Sequence, residues 1–324
     1  MEVLKGKKVL VTGGAGFIGS NLVSALLELG AFVRVFDNLE TGKLHNLDSF
    51  SGNPNFEFME GDIRNEDQCR TAVAGMDVIS HQAALGSVPR SIAFPHNTHA
   101  VNATGFLNML HAAKEAGVKR FVYASSSSVY GDSAASPKVE GDEGNPLSPY
   151  AVTKSLNEKY AKVYAHLHGM ETIGLRYFNV FGPKQDPNGV YAAAIPKFID
   201  KMTKGEEIVV NGDGEQTRDF TYVSNAVEAN LKALTTSNKG SYGEVFNVAC
   251  GASYSLNQIL GEIEKNMKTL GLYHEGTTIT YGPERSGDVR HSLADISKIS
   301  SLLDYRAKYS FYDGISEYVS RLTS

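Results

Sequence analysis

Tyr150 and Lys154 form the only Tyr-x-x-x-Lys in this chain of 324 residues. They stand four apart in the helical pattern that follows Ser148-Pro149, so their side chains share one face. A phenol with an ordinary pKa near 10 is a poor base at neutral pH. A neighbouring ammonium stabilises its phenolate, and such a pair can take a proton from an alcohol. The spacing alone proves little, because a chain of ordinary composition holds about one such pair by chance. Its position says more. Upstream, Ala124-Ser125-Ser126-Ser127-Ser128-Val129-Tyr130-Gly131 closes a predicted strand, and ligands of doubly wound sheets sit outside the carboxyl ends of the strands. A hydroxyl there can share a hydrogen bond with a substrate hydroxyl and Tyr150. A plain solvated serine loop is the alternative.

A second constellation opens the chain. The apolar run Lys8–Thr12 leads into Gly13-Gly14-Ala15-Gly16-Phe17-Ile18-Gly19, followed by a helical pattern. Gly14, Gly16 and Gly19 satisfy GxGxxG; Gly13, Gly16 and Gly19 satisfy the looser GxxGxxG. Both let the backbone turn sharply and approach a diphosphate, which the free N–H groups of the next helix then hold. Strand before and helix after is the context that the motif requires. The next predicted strand ends at Asp37, eighteen residues past Gly19. A carboxylate there accepts hydrogen bonds from ribose hydroxyls and repels a 2′-phosphate, which favours NAD over NADP. Arg34 lies three residues earlier, within that strand. Asp62, after the third strand, is placed either beside the adenine or as a helix N-cap. His81-Gln82-Ala83-Ala84 follows the fourth, where small residues let the chain pass close to a cofactor.

The elements that must position these groups follow from the pattern. Predicted strands at Lys8–Thr12, Phe32–Asp37, Phe56–Glu60, Asp77–His81, Arg120–Ser125 and Thr172–Tyr177 alternate with helices at Ser20–Leu29, Asp67–Ala74, Val101–Ala116 and Pro149–His168. This rhythm implies an α/β fold, a Rossmann-type doubly wound parallel sheet with helices on both faces. Past Arg176 the rhythm loosens into Gly- and Pro-bearing loops. Residues 1–176 are therefore expected to form the nucleotide domain. Residues 177–324 would form a smaller, mixed α/β substrate-binding lobe, part of it returning to the sheet.

Composition fits a globular enzyme, with 42% hydrophobic and 21% charged residues. A formal net charge of −5 without a basic run excludes nucleic acid as the main partner. The two cysteines, Cys69 and Cys250, fit neither a disulfide framework nor a metal cage. Val9–Leu27 is uncharged throughout, but its glycines and polar residues point to strand, turn and helix rather than a membrane span. A cytoplasmic location is expected.

In order along the chain, Thr12-Gly13 through Gly19, Asp37, His81–Ala84, the serine loop, Tyr150 with Lys154, and Arg176-Tyr177-Phe178-Asn179-Val180-Phe181-Gly182-Pro183 resemble the extended short-chain dehydrogenase/reductase family, nucleotide-sugar epimerase group. The resemblance spans nearly the whole length. It implies a tightly bound NAD held by Gly13, Gly16, Phe17, Ile18, Gly19, Asp37, Asn38, Asp62, Ile63, Gln82, Ala83, Ala84, Tyr150 and Lys154. It implies Ser126, Tyr150 and Lys154 as the catalytic set, with a one-residue ambiguity within the serine run. No metal is expected. A homodimer is implied through the helices at Val101–Ala116 and Tyr150–Leu167, although their apolar positions (Val101, Phe106, Leu110; Val152, Leu156, Val163) could equally be core.

Fold alone does not choose the reaction. Related 4,6-dehydratases carry an Asp-Glu pair where this chain has Ser127 and Ser128, and related decarboxylases keep a glutamate in that loop. Without an acid–base pair the site can remove and return a hydride but has little means to eliminate. That leaves 4-epimerisation, in which Tyr150 takes the O4 proton and the resulting 4-keto sugar turns over. By resemblance, Arg218 and Arg285 hold a diphosphate, Asp288 a uridine ribose, and Asn179 faces the UDP-sugar. Galactose-type members have a lysine at Gly86 and a tyrosine at Ser292. Leu85-Gly86-Ser87-Val88-Pro89-Arg90-Ser91 resembles the subgroup that prefers N-acetylated UDP-hexosamines, with Gly86, Ser87, Ser126, Ser127, Asn179, Gln185, Ala193 and Ser292 near the sugar. The expectation is interconversion of UDP-N-acetylglucosamine and UDP-N-acetylgalactosamine, with slower turnover of the non-acetylated pair. One rival is a UDP-hexuronate or UDP-N-acetylhexosaminuronate 4-epimerase, with Arg90 or Lys184 pairing the C6 carboxylate. Glucuronate members resemble Phe-Thr at Phe178-Asn179. A silent NAD-sensing protein is the more distant rival.

Overall fold

The structure is a computed structural model that describes residues 2–188, 193–283 and 290–323. Seven parallel strands form the central sheet: β1 (Lys8–Thr12), β2 (Phe32–Asp37), β3 (Phe56–Glu60), β4 (Val78–His81), β5 (Arg120–Ser126), β6 (Glu171–Tyr177) and β7 (Glu244–Val248). Their order is β3-β2-β1-β4-β5-β6-β7. The chain thus winds outward one way from β1 to β3, then the other way from β4. This opens a crevice between the ends of β1 and β4.

The first six strands stand where the pattern predicts them, within one residue. β4 starts at Val78 rather than Asp77, whose N–H donates to the Lys8 carbonyl and whose carboxylate accepts the Lys8 N–H, each at 2.8 Å. Inside β1, Val9 and Val11 enter one apolar core and Leu10 enters the other. This alternation between two covered faces explains why the strand is apolar throughout.

Helices α1 (Phe17–Glu28), α2 (Glu66–Val73), α3 (Phe106–Glu115), α4 (Pro149–His168) and α5 (Val223–Thr235) cover the sheet. α1 and α5 pack on one face, and α2, α3 and α4 on the other. α4 has the predicted bounds. Ser148 caps it by accepting the Ala151 N–H at 3.1 Å, Pro149 sits in its first turn, and Gly169 ends it in a left-handed conformation, φ 62°. Two differences matter. α1 begins three residues before the predicted Ser20, directly out of the glycine turn. The helix predicted over Val101–Ala116 is π-helical over Ala100–Gly105 before α3 begins. Val101, Phe106 and Leu110 all lie in the core of the subunit, so they are not interface residues. Val152 and Val163 on α4 are exposed.

Residues after Tyr177 do not form a body apart from the sheet. β7 pairs with β6, and α5 packs beneath, so a cut at 176/177 would strip the sheet of an edge strand. The rest builds a third core around Phe181, Phe198, Phe220, Ile263 and Phe311. It carries short sheets: Thr217–Asp219 pairs antiparallel with Ser253–Ser255 and parallel with His291–Ser292, and Ile208–Asn211 pairs with Ile279–Gly282.

Candidate active site

The glycine turn lies against the chain that leaves β4. Gly13 has φ 67°, and a Cβ there would stand 2.6 Å from the Ala83 nitrogen. A Cβ on Gly19 would stand 2.2 Å from the Gly13 oxygen. These contacts let α1 begin at the crevice. Gly16 is its N-cap, with no capping side chain and no acidic residue in the first turn. The helix end is therefore open to an anion.

Asp37 closes β2. Its carboxylate accepts the N–H of Ala15 at 3.0 Å and of Leu39 at 2.9 Å. Burial pushes its pKa up, and those N–H groups pull it back. Arg34 points elsewhere: it pairs with Glu57 at 2.9 Å and donates to the carbonyls of Ala72 and Ala74. Arg34 is thereby turned away from the position that a 2′-phosphate would take. Asp62 is not a helix cap, since Asn65 caps α2. Instead it pairs with Arg64 and accepts from Asn38 at 3.1 Å, and the Arg64 guanidinium holds its carboxyl below the usual range. His81 shares a hydrogen bond with Thr12 at 2.9 Å and stacks on Phe121. Burial, with Lys154 nearby, pushes it down to about 3, so it is a neutral clasp between β1 and β4.

These groups surround a cleft of about 330 Å³ at the carboxyl ends of β1, β2 and β4. Every residue that the sequence assigns to the dinucleotide borders it, from Gly13, Gly16, Phe17, Ile18 and Gly19 through Asp37, Asn38, Asp62, Ile63, Gln82, Ala83 and Ala84 to Tyr150 and Lys154. At the far wall Lys154, 2% exposed, donates to the Ala124 carbonyl at 2.7 Å. Its Nζ lies 5.9 Å from the centre of the Tyr150 ring. Burial pushes this ammonium down to about 8, against the pull of the Glu158 carboxylate. Burial pushes the Tyr150 phenol up, and a hydrogen bond with Ser126 opposes it. The protein's own groups therefore do not preform the phenolate. The hydroxyl beside Tyr150 belongs to Ser126. Ser125 donates instead to Glu158 at 2.5 Å, and Ser128 is tied to Ser126 at 3.1 Å.

Groups expected around the sugar fall into two sets. Gly86 borders the cleft, and nothing lies within 4 Å of a Cβ built there. Ser87 caps the short helix Val88–Ala93, accepting the Arg90 N–H at 3.2 Å, and Ser127 opens a 3₁₀ turn after β5. Across the crevice, Arg218 and Ser292 are direct neighbours in one sheet. Asn179, in a left-handed conformation with φ 36°, donates to the Asp219 carbonyl at 2.9 Å. Gln185 donates to the Val180 carbonyl at 3.3 Å while its Oε1 is buried without a partner. Ala193 is exposed, at the start of the helix Ala194–Lys204. Arg285 and Asp288 lie outside the described residues.

Residues 9–249 match the profile of the NAD dependent epimerase/dehydratase family. The chain belongs to that family. Among its curated relatives is a UDP-glucose 4-epimerase of Mycolicibacterium smegmatis, 34% identical over 96% of this chain and 97% of the relative. Among solved structures, the UDP-N-acetylglucosamine 4-epimerase of Methanobrevibacter ruminantium M1, in complex with UDP-N-acetylmuramic acid, superposes with a TM-score of 0.91. It is 37% identical, over 98% of this chain and 99% of that one. A variant of the Bacillus cereus UDP-glucuronic acid 4-epimerase, in complex with a fluorinated UDP-glucuronic acid and NAD, gives a TM-score of 0.87 at 32% identity, over 98% and 99%.

The family member described here is an NAD-dependent enzyme. Its residues fit that cofactor: an uncapped helix end for the diphosphate, the Asp37 carboxylate for the ribose, and small residues along the crevice. Among the described residues no group of side chains is set to hold a metal ion, and no helix is long and apolar enough to cross a membrane. Two groups escaped the sequence reading. Tyr177 borders the cleft and is locked by Gln82 at 2.9 Å and Asn230 at 2.8 Å. Asp219, wholly buried, accepts the N–H groups of Cys250 and Gly251, each at 3.0 Å, and so braces the strand that carries Arg218. Their partners are distant in sequence and gave no local signal.

Proposed function

We propose that this enzyme is a UDP-sugar 4-epimerase whose preferred pair is UDP-N-acetylglucosamine and UDP-N-acetylgalactosamine, with slower turnover of UDP-glucose and UDP-galactose. The observation that carries the reaction is the placing of Tyr150 at the wall of the NAD cleft, with the Lys154 ammonium 5.9 Å from the centre of its ring. Tyr150 takes the O4 proton of the sugar and later returns it. Ser126 shares its hydrogen bond with that oxygen, and Lys154 supplies the positive charge that phenolate formation needs. Bound NAD supplies oxidation and re-reduction at C4. Arg218, with Arg285, anchors the diphosphate while the 4-keto ring turns, so binding energy remote from C4 holds the intermediate in the site.

Two features support the N-acetylated sugar. Gly86 leaves open space where a side chain would project, and Ser292 is small beside Arg218. An acetamido group must swing with the ring, and an open wall admits what a bulky one rejects. The solved N-acetylglucosamine 4-epimerase is among the similar structures. A uronate sugar needs a cation at C6. Lys184 is a poor one, since its Nζ donates to the Asn46 carbonyl at 2.8 Å and lies over the Phe50 ring. A cytoplasmic homodimer completes the reading, with the exposed Val152, Val163 and Leu167 of α4 at the contact.

Incubation with UDP-N-acetylglucosamine, followed by NMR of the equilibrated mixture, tests the substrate. A galacto product is expected, and its absence rejects the assignment. Competition with UDP-glucuronate and its N-acetylated analogue separates the uronate rival.

A further inference from the structure

Tyr150, Lys154 and Glu158 follow each other at four-residue steps along α4, so the carboxylate lies one turn behind the ammonium on the same face. Glu158 is held from two strands. Ser125, at the end of β5, donates to its Oε1 at 2.5 Å. Arg176 of β6 reaches both oxygens, Nε to Oε1 at 2.9 Å and Nη2 to Oε2 at 2.7 Å. Arg176 is 2% exposed, and it is braced in turn by Glu143 from the loop before α4 and by the Tyr130 ring, 4.9 Å away. The Tyr130 hydroxyl donates to Asn247 of β7 at 2.7 Å. One carboxylate thereby joins the helix of Tyr150 to two strands directly and to a third through Arg176 and Tyr130.

A buried ion pair is an inefficient way to gain stability, because apolar packing of similar volume often does as well. What apolar packing cannot supply is a fixed negative charge one helical turn from a buried ammonium. We propose that Glu158, locked by Arg176 and Ser125, is a positioning residue that holds a negative charge one helical turn behind Lys154, favours the charged form of that ammonium at the cleft wall, and so sets the pH range in which Tyr150 works as a base. The inference rests on the base role assigned to Tyr150 above. The other titratable groups around Lys154 and the clamp do not substitute for it. Tyr150 on α4 is a phenol, and His81 on β4 is neutral. Tyr123 on β5 and Tyr177 on β6 are pushed up by burial and stay protonated. Arg176 carries the wrong sign, and Glu143 is engaged with it. Burial drives Lys154 down, and the Glu158 carboxylate is the charge that opposes it.

The test is Glu158→Gln, which keeps the shape and removes the charge. Lys154 is followed by NMR titration of its side-chain signal, assigned with Lys154→Met, in the whole enzyme without turnover. Its titration should move down by about one pH unit, and the alkaline limb of kcat should move with it. At pH 8 turnover should fall several-fold, while KM for the nucleotide sugar stays within about two-fold. A folded variant with an unmoved Lys154 titration and an unmoved limb overturns the proposal. Should Glu158→Gln not fold, Ser125→Ala loosens the carboxylate and must give a smaller shift in the same direction; no shift overturns the proposal equally. If Lys154 shifts but Tyr150→Phe still turns over, the base assignment fails and the electrostatic link stands.

Discussion

On the dinucleotide side of the cleft, glycines and small residues pack where β1, β2 and β4 end, among side chains such as Phe17, Asp37 and Gln82. The groups expected on the sugar side stand largely on loops and on strands of two or three residues. Glycine illustrates the contrast. Gly13 and Gly19 are held by neighbours that leave no room for a Cβ, whereas Gly86 faces open space. The first pair is required by the fold itself. Under the proposed function, Gly86 bears on which ligand the wall admits. The cofactor side is held by tight packing, and the selectivity proposed above falls on a position where a side chain would meet no neighbour.

Tyr150, at the seam between the two sides, gives the largest expected effect. Tyr150→Phe should lower turnover by about 10²–10⁴-fold, while NAD binding, followed by fluorescence, is retained. Retained turnover would remove the base and with it the reaction assigned here. On the cofactor side, Gly19→Ala forces a methyl to 2.2 Å from the Gly13 oxygen. It should cost about 1–3 kcal/mol of stability and weaken NAD binding, read as a lower melting temperature and a smaller rise on adding NAD. On the sugar side, Gly86→Lys should leave stability within about 0.5 kcal/mol. It should shift the kcat/KM ratio of N-acetylated to plain UDP-hexose downward by about 10–100-fold. If Gly86→Lys destabilises as much as Gly19→Ala, the contrast drawn above is wrong.

The smallest effect concerns stability against pH. Lys154 is pushed from its ordinary value of 10.5 down to about 8, so the unfolded chain holds the proton more tightly than the folded one. Its contribution to stability is full above 10.5 and is lost as pH falls through 8. Lys154→Met should therefore be inactive yet melt no lower than the parent at pH 7. Any advantage of the variant should shrink as pH rises from 8 towards 10.5. A gap that widens over that window would contradict the burial argument.

Much of the cofactor side is legible because it is local. The spacing of Gly13, Gly16 and Gly19, the strand before them and Asp37 after them lie within a few dozen residues, and α4 is marked at both ends by Ser148-Pro149 and Gly169. The serine run illustrates the limit. Four identical side chains follow each other, and only burial and partners separate them: Ser125 turns to Glu158, and Ser126 to Tyr150. The apolar positions of Val101–Ala116 show the same limit. Apolar spacing reports that a helix has an apolar face, and packing decides that Val101, Phe106 and Leu110 face the sheet.

The sequence by itself determined the doubly wound sheet, the glycine turn before α1, the carboxylate that closes β2 and the shared helix face of Tyr150 and Lys154. Each depends on backbone conformation or helical period, and both are written in neighbouring residues. Tertiary structure alone decided that β7 returns to β6, that Arg218 and Ser292 stand side by side, and that Glu158 is clamped by Arg176 behind Lys154. Those contacts join residues far apart in the chain. Their geometry and charge states are set by what becomes buried together, a property of the folded molecule that no local pattern carries.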